Sequence, residues 1–221
     1  MSGLVMEATG VVKDLGVGVA QIRALKGVDL ALKGGELTLL MGPSGSGKTT
    51  LLSILGCMLT PTEGTVRVRG DAIAGKNPED LAKLRRENIG FVFQSYHLFP
   101  TLSAADNVRL ALDVRGETGT DAKDKARAAL DRVGLSSKTR NYPSQLSGGE
   151  QQRVAIARAV VGDPSVILAD EPTAALDSEN GKAIMGILAA IAKDPGRGVL
   201  VVTHEPRIVG DDQNAAARAV R

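Results

Sequence analysis

Apolar residues along the chain follow two patterns. Residues 37–41, 166–169 and 199–202 are short aliphatic runs without polar alternation, as expected of strands covered on both faces of a parallel sheet. Residues 89–93 predict a fourth strand of the same kind. Between these runs, apolar positions recur every three or four residues over 49–56, 78–86, 122–133, 148–161 and 179–192, the spacing of helices with one buried face. Strands alternating with helices predict an α/β sheet. No strand is predicted between residues 94 and 162, so that stretch reads as a helical lobe inserted into the sheet domain. The first 35 residues, richer in Val and Gly, predict a small antiparallel β region, and residues 114–121 are the most linker-like piece.

Composition narrows the class. A length of 221 residues suits one large domain or a domain with a lobe. Aromatic residues make up only 2 %, so aliphatic side chains must build the core. A formal net charge of +2 gives no case for a clustered basic face, and no nucleic-acid partner is expected. The single cysteine, Cys57, excludes an internal disulfide and fits a reducing compartment. It falls on the helix predicted after residue 48 and reads as a small buried hydrophobe. The start, MSGLVMEATG, lacks a basic segment ahead of an apolar run, so no secretory signal is expected. No run approaches the roughly 18 apolar residues of a membrane-spanning helix. The expectation is a soluble chain able to sit against a membrane protein.

The chemistry begins where the first aliphatic run ends. Gly42-Pro43-Ser44-Gly45-Ser46-Gly47-Lys48-Thr49 matches G-x-x-x-x-G-K-[ST] between a predicted strand and a predicted helix. Glycines let the backbone wrap with its N–H groups inward, and the helix start adds partial positive charge. Lys48 would reach the β- and γ-phosphates of a nucleotide, and the Thr49 hydroxyl would ligate Mg²⁺. The run 166–169 ends in Asp170 and Glu171, at the strand edge where open α/β sheets bind ligands. Asp170 would hold Mg²⁺, and Glu171 would orient or deprotonate an attacking water. His204 follows the run 199–202 and should reach the same edge; His97 reads as a surface residue of the lobe.

A second glycine-bearing helix start poses a problem. In QLSGGEQQRVAIARA, Ser147 and Glu150 have the spacing of a capping box. Gly148 and Gly149 nevertheless occupy the first turn, each costing about 1 kcal/mol relative to alanine. Glycine there is explained if the backbone must approach something closely. A helix start is an anion site, and one cradle already exists. The simplest resolution is that this second surface meets the γ-phosphate of a nucleotide held by another copy.

Gly42–Thr49, Gln94, Leu146-Ser147-Gly148-Gly149-Glu150, Val166–Glu171, Ala175-Leu176-Asp177 and His204 together resemble the nucleotide-binding subunits of ABC transporters, in the family's order and over nearly the full chain. The resemblance implies a P-loop NTPase fold of the RecA-like kind. The nucleotide-binding core would be 1–94 with 163–221, and the helical signature lobe 95–162. It implies ATP and Mg²⁺ as cofactors, contacted by Gly42 through Thr49, Thr50 and Gln94. Ser147, Gly148 and Gly149 would act on the nucleotide of the opposite copy, and Asp177, in the D-loop, would also contact nucleotide. Thr49, Gln94 and Asp170 would serve the metal. Lys48, Glu171 as base and His204 as the γ-phosphate sensor would be catalytic. Finer likeness, in RALKGVDLALKGGELTLLMGPSGSGKTTLLSILG and ILADEPTAALDS, is to the MacB, LolD and FtsE branch. It implies a homodimer on ATP binding, membrane permease subunits of the MacB/FtsX type, and a place on the cytoplasmic face of the inner membrane. The role would be export or extraction of a substrate, the alternative being FtsE-like signalling without transport. QSYHLFPT, with Tyr96, Leu98 and Phe99, would lie at the groove for the membrane subunit or in a small lobe core. Repair ATPases of the SMC type share these motifs but insert a long coiled coil, and no sustained heptads occur here. Two departures stand out. Leu15 occupies the place of an adenine-stacking aromatic, and residues 211–221 show no strand after the switch histidine.

Overall fold

A computed structural model describes residues 3–16, 18–204 and 215–219. Its strands are β1 Leu4–Leu15, β2 Ile22–Lys33, β3 Leu37–Met41, β4 Glu63–Val68, β5 Asp71–Ala72, β6 Ile89–Val92, β7 Val166–Asp170, β8 Gly198–Thr203 and β9 Ala215–Ala219. Its helices are α1 Lys48–Leu55, α2 Pro78–Asn88, α3 Ala104–Asp113, α4 Gly119–Arg132, α5 Gly148–Val160 and α6 Ser178–Ala192.

Five strands form a parallel sheet in the order β6-β7-β8-β3-β9. The apolar strands β3, β7 and β8 lie inside it because both of their faces are covered. Leu39, Ile167, Ala169, Val199 and Val201 point into a core shared with α3 to α6, whereas Leu40, Val166, Leu168, Leu200 and Val202 point into a core shared with α1 and the other sheet. That other sheet is antiparallel, ordered β2-β1-β4-β5. On β4, Glu63, Thr65 and Arg67 are exposed while Val66 and Val68 are buried, the alternation of a strand with one wet face.

Helices α3, α4 and α5 fill the stretch between β6 and β7, with Val108, Ala126, Leu130 and Val154 buried among them. Their core continues into the sheet face covered by α6. Residues 114–118, within the linker-like piece, join α3 to α4.

The structure corrects two expectations. Residues 211–221 do contain a strand: β9 pairs in parallel with β3, Leu37 opposite Ala215 through Met41 opposite Ala219. AAARA carries no β-branched or aromatic residue, so propensity does not reveal it. The outer edge of β3 offers unpaired main-chain groups that select it. Cys57 is buried as expected but lies beyond the α1 C-cap Gly56, in left-handed backbone at φ 55°. Burial pushes its thiol up to about 11, which keeps it unreactive.

Candidate active site

The parallel sheet gathers four loops at one edge. Met41 ends opposite Thr203, Asp170 opposite Val202 and Val92 opposite Ala169, so the residues that follow these strand ends emerge together. They line one groove of about 890 Å³ that includes Ser44 to Thr50, Gln94, Glu171 and His204. Sequence reasoning placed the cradle, Glu171 and His204 at one edge and gave Thr50 and Gln94 to the same nucleotide by resemblance, and the structure brings these residues together.

The loop after β3 is shaped around its own interior. Gly47, the N-cap of α1, has φ 85°, and a Cβ there would lie 2.6 Å from the Ala24 carbonyl oxygen. Only glycine fits under β2 in that conformation. Among the described residues, no side chain caps α1 and no acid lies in its first turn. Lys48 is 8 % exposed, and its Nζ donates to Gly42 O at 2.7 Å and Pro43 O at 2.8 Å. The Ser46 hydroxyl is buried without a partner among the described residues. An uncapped helix start, a buried ammonium satisfied only by loop carbonyls and an unpartnered hydroxyl are the donor set for a polyphosphate.

At the end of β7, Asp170 is half-buried, and burial together with the Glu171 charge raises its carboxyl above the ordinary range, against the nearby Thr49 hydroxyl and Lys48 ammonium. Among the described residues, no three His, Cys, Asp or Glu side chains form a metal site by themselves. Mg²⁺ takes one or two carboxylates and completes its shell with water and substrate phosphates. Asp170 beside Thr49 fits that partial role. Glu171 sits in left-handed backbone at φ 48°, and its N–H donates to Val202 O at 2.9 Å. Its Oε2 is 2.8 Å from Nδ1 of the exposed His204. Such backbone strain persists only where the surroundings hold it, and here it turns the carboxylate toward the groove.

Ser147, Gly148, Gly149 and Asp177 do not line this groove. The capping box on α5 is present: Glu150 N–H donates to Ser147 Oγ at 3.2 Å, and Ser147 N–H donates to Glu150 Oε2 at 2.8 Å. Gln151 N–H begins the ladder on Ser147 O. The N–H groups of Gly148 and Gly149 lie outside both cap and ladder. Asp177 caps α6, accepting from Asn180 N–H at 2.9 Å and from Asn180 Nδ2 at 2.7 Å. Asn180 also explains one glycine. A Cβ on Gly149 would lie 2.6 Å from its Oδ1, while one on Gly148 would lie 2.9 Å from the Tyr96 hydroxyl. These glycines therefore have a packing reason within the chain, in addition to any ligand.

Sequence reasoning missed Asn180, Gln152, Arg115 and Arg158. Arg115 donates to Glu87 O and Gly162 O, and Arg158 to Tyr96 O and His97 O. Their signal was weak, because an arginine that caps carbonyls reads like any surface arginine. With Arg85, Arg86, Phe91, Phe99 and Val114 they line a second groove of about 430 Å³. Leu98 packs on the lobe core, whereas Phe99 is 51 % exposed at the groove. His97 is exposed at the lobe surface, its ring stacked on Phe93 at 4.5 Å. Among the described residues, no helix is long and apolar enough to cross a membrane.

The family model described as ABC transporter matches residues 25–174. The chain is 47 % identical over 203 residues to the macrolide export ATP-binding/permease protein MacB of Acinetobacter baylyi, covering 92 % of this chain and 30 % of that protein. It is 47 % identical over 201 residues to the pyoverdine export ATP-binding/permease protein PvdT of Pseudomonas fluorescens, covering 91 % and 29 %. The chain thus spans about 30 % of the length of these curated relatives. Among solved structures, it resembles the ATP-binding cassette MJ0796 in a dimeric post-hydrolysis state bound to ADP and Pi. The TM-score is 0.83 at 42 % identity, over 92 % of this chain and 89 % of that one. The cbiO1 structure from Clostridium perfringens matches at a TM-score of 0.82 and 29 % identity, over 93 % and 80 %.

Proposed function

Because the chain belongs to the ABC transporter family, we propose that it is the ATP-hydrolysing part of a MacB-branch export or extraction system, working as an ATP-closed dimer against membrane subunits of the MacB/FtsX type. The observation that carries this reading is the Glu171–His204 pair, 2.8 Å apart at the mouth of the groove that holds Lys48 and Thr49. A base, a group that orients it and a polyphosphate cradle in one groove are the parts of phosphoryl transfer to water.

The geometry and the family likeness support the following roles. Lys48 leaves the Gly42 and Pro43 carbonyls for the more negative β- and γ-phosphate oxygens. The loop N–H groups and Ser46 hold the remaining oxygens. Thr49 and Asp170 hold Mg²⁺, with Gln94 reaching from the end of β6; when bound, Mg²⁺ neutralises charge on the phosphates. Glu171 accepts a proton from the attacking water at its carboxylate, and His204 keeps that carboxylate turned inward. Ser147, Gly148 and Gly149 donate to the γ-phosphate held by the other copy, and Asp177 lies at the same seam. The core 1–94 with 163–221 and the lobe 95–162 then move as ATP closes the pair and hydrolysis opens it.

The proposed seat of the membrane subunit is the groove between α2, α3 and α5. There Phe99 and Val114, 51 % and 61 % exposed, lie among Arg85, Arg86, Arg115 and Arg158. MacB and PvdT carry ATP-binding and permease functions in their names, and the same pairing supports a seat for this chain on the cytoplasmic face of the inner membrane. Two variants test the reading. Glu171→Gln should bind ATP normally, accumulate a closed dimer by gel filtration and lose about 10²–10³-fold in turnover, the scale for removing a group that acts in the transition state. Lys48→Ala should weaken nucleotide binding by about 1.5–3 kcal/mol, the worth of hydrogen bonds to charged groups. Parental turnover in Glu171→Gln would reject the base assignment.

A further inference from the structure

Gln152 stands on α5, five residues past the N-cap Ser147, and its side chain is fully buried. Its Nε2 donates to Pro172 O at 2.8 Å and reaches Phe93 O at 3.5 Å. Main-chain carbonyls only accept, so the amide can face them only with its NH₂ group. The amide oxygen is then left buried and, among the described residues, without a hydrogen-bond partner. A side chain that merely filled this space would be better apolar, because an unpaired buried acceptor is destabilising.

The two carbonyls bracket the active site. Phe93 immediately precedes Gln94, and Pro172 immediately follows Glu171. Strands β6 and β7 pair side by side as far as Val92 and Ala169; beyond that point their chains part, and Gln152 spans the opening. One side chain therefore ties the helix that begins Ser147-Gly148-Gly149 to both segments that present Gln94 and Glu171 to the nucleotide groove. Glu171 has φ 48°, a conformation that depends on its surroundings. Val202 O holds it on one side through the Glu171 N–H, and Gln152 holds the next residue on the other.

We propose that Gln152 is a positioning residue for hydrolysis, transmitting the position of the α5 start to the Glu171 carboxylate and to Gln94. It touches no nucleotide and acts through main chain. The inference rests on the ATPase reading above. It assigns to one buried amide the link between engagement of the lobe by the second copy and alignment of the base.

The test compares the full parental chain with Gln152→Met, which keeps side-chain length and loses both donors. Turnover should fall about tenfold to a hundredfold, the scale on which small misplacements of reacting groups act, while nucleotide affinity and ATP-driven dimer formation stay within about twofold. Gln152→Glu supplies a second readout: the ionised carboxylate cannot donate, but the protonated acid donates one hydrogen bond. Its turnover relative to the parent should rise as the pH is lowered. Unchanged turnover in Gln152→Met overturns the inference, as does a joint fall of affinity, dimer formation and melting temperature. If Gln152→Met does not fold, the Glu variant decides alone, and a turnover ratio flat in pH overturns the inference. A parent that hydrolyses no ATP overturns the functional reading and this inference with it. A normal parent beside an unaltered variant overturns the inference only.

Discussion

Both helix starts use glycine, Gly47 as the N-cap of α1 and Gly148 with Gly149 in the first turn of α5, and they are finished in opposite ways. The start of α1 has no side-chain cap and no acid among the described residues, and its lysine is folded back onto loop carbonyls. The start of α5 is closed by Ser147 and Glu150, and Glu150 is further paired with Lys138 at 3.4 Å. A helix start leaves donors that must be met by side chains, water or a ligand. In α1 nearly the whole set awaits a ligand, as suits a site that must hold a highly charged polyphosphate. In α5 the cap consumes the N–H donors of Ser147 and Glu150, and the Ser147 hydroxyl hydrogen with the N–H groups of Gly148 and Gly149 is left for the proposed contact with a second molecule's nucleotide. On the proposed reading, one end grips and the other touches and releases.

The two glycine sites differ in what confines them, and alanine should expose the difference. At Gly47 a Cβ would meet the Ala24 carbonyl at 2.6 Å in left-handed backbone. Backbone cannot step aside, and the conformation alone costs an L-residue about 1–2 kcal/mol. Gly47→Ala should lose at least that much stability by urea titration, with no second-site remedy at a side chain. At Gly149 the obstacle is the Asn180 side chain, 2.6 Å from the added Cβ. Gly149→Ala should destabilise by about 1–3 kcal/mol, the cost of overpacking, and Asn180→Ala should restore most of it. If the double variant is as unstable as Gly149→Ala alone, the glycine serves something other than Asn180.

That contrast also marks where the sequence stops being readable. The cradle was legible because a glycine motif between an aliphatic run and a helical pattern is local information. Ser103 and Asp106, which share a cap on α3, and the alternation in β4 were local signals too, and they were passed over. Asn180 against Gly149, Gln152 between two strand ends and β9 on the β3 edge are not local. Each is fixed by a neighbour 20 or more residues away in the chain. A polar residue on the buried stripe of α5 was the one available hint of Gln152.

The grip of the cradle can be sharpened from its other end. Leu15 and Ile22 are opposite one another in the β1–β2 register, 40 % and 69 % exposed, and both line the nucleotide groove. They offer a base an aliphatic surface with no ring to stack on. Leu15→Phe should tighten ATP binding by about 0.5–1.5 kcal/mol, the worth of an aromatic pair beyond its area, and leave turnover at saturating ATP unchanged. Titration with a fluorescent ATP analogue measures it. An unaltered affinity would mean that the base rests elsewhere and that the phosphate end carries the whole grip.

The smallest effect lies in the cap that only α5 has. The N–H of Ser147, then the Lys138 ammonium, holds the Glu150 carboxyl below the ordinary carboxylate range against a modest burial penalty. A carboxyl depressed in the folded state adds stability that is present above its unfolded pKa and is lost as the pH falls through the folded one. Glu150→Gln keeps the reach of the cap and removes the titration. At neutral pH the parent should be the more stable by about 0.3–1 kcal/mol, the scale of a surface charge at a helix start. The gap should close as acid titrates Glu150, and added salt should narrow it, because the Lys138 pair is partly exposed. Since α1 carries no acid in its first turn, it has no native carboxylate whose removal would give this profile. A gap independent of pH would show that Glu150 acts through packing, and that the two helix starts differ in shape alone and not in charge.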